Sequence, residues 1–126
     1  MRTKFKRIII FCSDVIALAN FYTEIFNLKI TGKSDKEWTV LKAGTIEIAF
    51  HKSGSKFLKA ENQKFKGANS NIKIVLEIDS DLVSFRSELM KKKVKMKTIT
   101  RVKGLSYIWC DGLDPEGNVF QVIQSI

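Results

Sequence analysis

The sequence predicts an α+β domain built from two successive βαβββ modules, and three observations lead there. An apolar strand, an acidic residue opening an amphipathic helix, and further β-rich sequence occur once from Phe5 and again from Asn71. The length of 126 residues suits one domain, long enough to bury most of an ordinary core. The apolar share of 44% and the charged share of 28% are those of a folded protein, without the composition of a disordered chain.

In the first module, residues 5–12 are a short β-branched and aromatic run and read as a buried strand. Ser13-Asp14 offers an N-cap. Val15, Leu18, Tyr22 and Ile25, with Phe26, make the stripe of an amphipathic helix, and Asn27 caps its C-terminus. Strands over residues 28–31, 38–42 and 45–51 follow, the last two joined by a tight turn at Ala43-Gly44. The first module thus covers about residues 1–51.

Residues 52–70 are polar, lysine-rich and punctuated by Gly54 and Gly67. They read as a connector with a short helical turn around Phe57-Leu58. The second module, about residues 71–126, opens with a strand over 72–78 and a helix start at Asp79-Ser80-Asp81. Leu82, Phe85 and Leu89 form that helix's apolar stripe. Strands over 94–99, 106–110 and 118–123 complete it. Asp114-Pro115-Glu116-Gly117 is a turn, because Pro presets φ at its second position and Gly permits the positive φ that follows.

The net charge of +9 raises nucleic acid, an anionic membrane surface or an acidic ligand as partners. Its distribution narrows the choice. Residues 104–126 carry no Lys or Arg, whereas residues 52–66 and 91–97 are dense in Lys. Lys91-Lys92-Lys93 falls at a helix C-terminus, where cations complement the dipole. Lys93, Lys95 and Lys97 alternate with Val94 and Met96, the pattern of an edge strand blunted against aggregation. No basic stripe is interleaved with aromatics, so the charge reads as solvation and nucleic acid is not the expected partner. No apolar run approaches the roughly 20 residues that span a bilayer. Two cysteines, Cys12 and Cys110, lie in apolar strands and read as buried thiols of a cytoplasmic protein. Neither a Ser-His-Asp nor a Cys-His constellation is present, and neither a phosphate loop nor a dinucleotide fingerprint appears.

Three stretches resemble the vicinal oxygen chelate superfamily, which includes glyoxalase I, bleomycin- and fosfomycin-resistance proteins and extradiol dioxygenases. The first is the strand, Ser13-Asp14 and a helix ending Phe21-Tyr22-Thr23-Glu24-Ile25-Phe26-Asn27-Leu28, which resembles FY-x-x-x-L-G-L. The second is Thr45-Ile46-Glu47-Ile48-Ala49-Phe50. The third is Asp114-Pro115-Glu116-Gly117-Asn118, which resembles D-P-D/E-G-N. Together they cover nearly the whole chain. Phe26-Asn27 replaces Leu-Gly, and Cys110-Asp111-Gly112 are extra residues before the DP turn.

The resemblance implies two modules joined in a U-shaped mixed sheet whose concave face binds metal and substrate, and a homodimer. It also implies ligand positions on Arg7 and Lys73, where the family often has His, on Glu47, and on Gln121, where it usually has Glu. Of this quartet only Glu47 is a credible ligand for a divalent metal. Arg cannot be deprotonated in a protein, and a charged Lys repels the ion. His51, the single histidine, shares the strand face of Glu47 but lies about 13 Å along the strand, beyond chelating range. No metal and no cofactor are therefore expected.

Two readings of the quartet stay open. In one, an Arg7–Glu47 salt bridge stands in for the ion, and Lys73 and Gln121 add hydrogen bonds. In the other, Arg7 and Lys73 form an anion cradle, with Glu47 as base or orienter. Tyr107 and Trp109, two residues apart, are either an aromatic wall for a flat ligand or part of the core. The expected role is metal-independent binding of an anionic or aromatic small molecule. One alternative is a lyase or isomerase acting through Glu47 or Lys73 on an anionic substrate. Another is a basic interaction module using residues 52–66 and 91–97.

Overall fold

The computed structural model describes residues 2–3, 5–53 and 72–126. The predicted helical turn around Phe57-Leu58 and nearly all of the connector lie outside the described residues. The chain divides into two compact units, Met1–Lys64 and Phe65–Ile126. Each unit has its own hydrogen-bonded sheet among the described residues, of four and three strands. No helix of the described residues is long and apolar enough to cross a membrane.

The first unit runs β1 (Arg7–Cys12), α1 (Val15–Phe26), β2 (Lys29–Ile30), β3 (Trp38–Ala43) and β4 (Ile46–Lys52), in the sheet order β1-β4-β3-β2. Asp14 caps α1 by accepting from the Ala17 amide at 3.0 Å, and Asn27 ends the helix at φ 56°. Gly44 takes φ 64° in the turn between β3 and β4, a conformation glycine adopts without strain. β1 is parallel to β4, and β4 is antiparallel to β3, so side chains fall into transverse rows. Ile8, Ile48 and Leu41 share one row and Ile10, Phe50 and Thr39 the next. These rows face α1, whose Tyr22 stacks on Phe50 with ring centroids 5.5 Å apart. Tyr22, Leu18, Phe50, Ile48 and Leu41 are all fully buried, which makes this layer the core of the unit.

The second unit runs β5 (Ile74–Glu77), α2 (Leu82–Lys91), β6 (Tyr107–Leu113) and β7 (Val119–Ser125), in the order β5-β7-β6. Asp81 caps α2 by accepting from the Ser84 amide at 2.8 Å. Rows Ile74–Phe120–Gly112 and Leu76–Val122–Cys110 lie on one face. Gln124, on that same face of β7, accepts from the Leu82 amide at 2.7 Å and so ties the sheet to the start of α2. Cys12 and Cys110 are both buried on the helix side, and neither is in a disulfide. Burial pushes the Cys110 thiol up, which keeps it protonated and unreactive.

The DP turn is built as its residues require. Gly117 has φ 79°, and its amide donates to the Asp114 carbonyl at 2.9 Å. The Asp114 carboxylate is buried but accepts from the Glu116 and Asn118 amides and from Asn118 Nδ2, each at 2.9 Å. A buried charge is tolerable with that many donors.

One strand differs from expectation. Residues 94–99 form no continuous strand and are held by isolated bridges, Met96 to Gly112 and Thr100 to Trp109. Between these bridges Thr98 and Ile99 oppose the single residue Cys110, as in a β-bulge. Arg86 Nε of α2 donates at 2.7 Å to the Lys97 carbonyl, the acceptor that a regular ladder would offer to the Asp111 amide. β6 also extends three residues past the expected end, to Leu113.

Gly112 closes this edge. A Cβ there would lie 2.6 Å from Phe120 Cζ and would also strike the Met96 sulfur. Gly112→Ala should therefore destabilise the protein by about 1–3 kcal/mol, the usual range for overpacking. Chemical denaturation checks this, and an unchanged midpoint would contradict the packing of Met96 over Gly112.

Candidate functional site

The faces turned away from α1 and α2 carry the residues that the sequence singles out. In the first unit three rows cross β1, β4 and β3: Arg7–Glu47–Lys42, then Ile9–Ala49–Val40, then Phe11–His51–Trp38. The first row is charged, the second apolar and the third aromatic.

Glu47 lies at the centre of the charged row. Its Oε1 accepts from Arg7 Nε at 3.0 Å and from Arg7 Nη2 at 2.7 Å, and Lys6 Nζ is 3.6 Å away. The Arg7 guanidinium also lies 5.6 Å from the centroid of the Trp38 ring, a cation–π distance. Arg7 hydrogen bonding, aided by the charge of Lys6, holds the Glu47 carboxyl below its ordinary value of 4.5. In the aromatic row, His51 has ring centroids of Phe11 at 5.4 Å and Trp38 at 5.5 Å. Ile9 is 44% and Phe11 50% exposed, which is high for apolar side chains in a four-stranded sheet.

The second unit gathers a different cluster around Asp111, which the sequence analysis notes before the DP turn but does not single out as a site residue. Asp111 accepts from Lys73 Nζ at 2.9 Å on Oδ2 and from Gln121 Nε2 at 2.9 Å on Oδ1. Asp111 is opposite Gln121, and Gln121 is opposite Val75. Lys73 therefore stands two residues before the position facing Gln121, and its long side chain reaches across to Asp111. Tyr107 and Trp109 follow on the same face of β6, with ring centroids 5.6 Å apart.

The structure thus brings Arg7 together with Glu47, and Lys73 together with Gln121, each pair within its own unit. Trp38 and Lys6 join the first cluster, and Asp111 organises the second. Period-two alternation from Tyr107 through Trp109 to Asp111 is the signal for Asp111, masked by ending the expected strand at residue 110.

The donors present do not fit the divalent metal that the family resemblance implies. No three His, Cys, Asp or Glu residues gather into a candidate metal cluster among the described residues. Glu47 Oε1 already takes two guanidinium N–H groups, and both Asp111 oxygens accept from side chains. An ion at Glu47 would sit against the Arg7 guanidinium, and one at Asp111 against the Lys73 ammonium.

Glu47 makes a pH prediction with a definite sign. A carboxyl whose folded pKa is depressed contributes stability that is fully present above the unfolded value and lost as pH falls through the folded one. The stability difference between the parent and Glu47→Gln should be constant above about pH 5.5 and shrink below 4.5, the ordinary value of that carboxyl. Urea denaturation across that range measures it. A difference that is flat to pH 3 would contradict the Arg7–Glu47 pairing.

No family model matches the sequence, and no curated protein matches it. Solved structures do match in fold. A glyoxalase/bleomycin resistance protein/dioxygenase family enzyme from Burkholderia phytofirmans PsJN aligns with a TM-score of 0.78 at 16% identity, over 98% of this chain and 100% of that one. The fosfomycin resistance protein FosX from Listeria monocytogenes aligns with a TM-score of 0.76 at 13% identity, over 100% and 96%. TnmS3, an antibiotic binding protein from Streptomyces sp. CB03234, aligns with a TM-score of 0.73 at 14% identity, over 99% and 98%. At these identities the likeness establishes the fold alone, the one these three structures share.

Proposed function

We propose that, on this vicinal oxygen chelate fold, the chain binds a small molecule with an aromatic body and an anionic group, without a metal ion. The observation that carries the reading is the layout of the first unit's open face. Phe11, His51 and Trp38 form an aromatic row, Ile9 adds exposed apolar surface, and the charged row combines one carboxylate with several cations. Glu47 faces Arg7 and Lys42 in register and has Lys6 at 3.6 Å, so that end of the face is net positive. Such a surface favours an oxyanion at one end and a flat ring at the other. Tyr107 and Trp109 beside Lys73, Gln121 and Asp111 repeat the combination in the second unit. That TnmS3, an antibiotic binding protein, has the same fold supports a binding role.

Glu47 is better suited to binding than to catalysis. A general base works best with a pKa near the operating pH, and Arg7 pushes the Glu47 carboxyl the other way. Its role is to hold Arg7 in place on the face. Lys73 is likewise engaged as a donor to Asp111.

Phenyl phosphate combines the two features and is the probe of choice. Calorimetry should show saturable binding that survives dialysis against EDTA, with benzyl alcohol binding far more weakly. Arg7→Met should weaken phenyl phosphate by about tenfold, the effect of losing one charge-assisted hydrogen bond. Loss of binding after chelation, or equal affinity for benzyl alcohol, would contradict the reading.

A further inference from the structure

The second unit's ion cluster has a further member. Met96 pairs with Gly112 at the free edge of β6, and its sulfur covers Gly112 on the helix side. The Lys97 amide donates to the Asp111 carbonyl at 2.8 Å, and the Leu113 amide to the Lys95 carbonyl at 3.0 Å. That register sets Lys97 beside Asp111. Alternation from the inward Met96 turns Lys97 to the open face, in line with Asp111, Gln121 and Val75.

Asp111 therefore has a lysine on either side of it. Lys73 approaches across β7 and uses one of its three N–H donors on Asp111, with its side chain still 41% exposed. Lys97 is exposed, and among the described residues it makes no ion pair with a carboxylate. The Arg86 hydrogen bond to the Lys97 carbonyl ties this backbone to α2 and so limits where Lys97 can reach. In the first unit Glu47 is likewise flanked by Arg7 and Lys42. Each open face thus has a carboxylate flanked by cations, with positive charge left over for a ligand oxyanion.

We infer that Lys97 and Lys73, on either side of Asp111, form an oxyanion subsite of the second unit for a phosphate or carboxylate group. Asp111 holds the Lys73 ammonium in place and Gln121 fixes the other carboxylate oxygen. Lys97 supplies the charge that the ion pair leaves over. Trp109, two residues along β6, gives the attached ring a surface about 6.6 Å from the anion row. The inference rests on the proposed binding of an aromatic anion and adds a specificity-determining residue to it.

The chain has two tryptophans, so a Trp38→Phe background, which keeps an aromatic ring in the first unit's row, leaves Trp109 as the sole indole reporter. Titration of that variant with phenyl phosphate, excited at 295 nm, should give a saturable change in emission. Lys97→Met in the same background should raise the dissociation constant about tenfold, and Lys97→Arg should restore most of the affinity. Lys92→Met removes the same charge from the C-cap of α2 and should change the constant less than twofold. Equal losses for Lys97→Met and Lys92→Met would reduce the effect to the general field of a basic protein and overturn the subsite. An unchanged constant in Lys97→Met would also overturn it. If Arg7→Met still weakens binding in that case, the broader reading stands without Lys97. If the parent protein does not bind phenyl phosphate, both fall together.

Discussion

Arg7 and Glu47 face each other across the parallel pair β1–β4, and the guanidinium places two N–H groups on one carboxylate oxygen. On a partly covered sheet face the pairing offsets the hydration that each ion gives up. The pair therefore constrains the register of two strands that are far apart in sequence. It also constrains the face itself. Trp38 lies against the guanidinium, and the small Ala49 and the buried Val40 fill the row between the charged and aromatic ends.

The second unit meets the same requirement with other residues. Its carboxylate is on β6 rather than on the middle strand, and a lysine and a glutamine satisfy it in place of an arginine. The equivalence of the two units is thus one of layout, not of residue type. In both, helix-facing rows are fully apolar or nearly so, while the opposite face combines charge with aromatic rings. A side-chain carboxylate that is already neutralised is a poor ligand for a hard or borderline cation. Surplus ammonium and guanidinium charge on the same face is well matched to an anion.

The fold was largely legible in the sequence because its signals are local. Asp14 and Asp81 cap helices as side chains of their type do, Asn27 adopts the left-handed cap, and Gly117 takes the positive φ that the DP turn needs. The stripe Val15, Leu18, Tyr22 is buried as its period requires. What escaped is non-local. The strand expected over residues 94–99 is reduced to isolated bridges, and its Lys97 carbonyl accepts from Arg86 of α2. Alternation alone could not show it. Asp111 escaped because its partners are Lys73, just before β5, and Gln121 of β7, and its own strand was read as ending before it. The contact of Arg7 with Trp38 depends on a ring lying along the sheet, which no spacing rule contains.

We propose that paired charges occupy positions where the family resemblance implies metal ligands, so that binding an anion on these faces needs no ion. Calorimetric titration of the metal-stripped protein with Mn²⁺ and Zn²⁺, in parallel with elemental analysis of the protein as purified, tests it most directly. The expected result is less than a tenth of an equivalent of either metal as purified and no saturable heat at micromolar concentrations. A stoichiometric ion retained through gel filtration, and lost in Glu47→Gln, would contradict it.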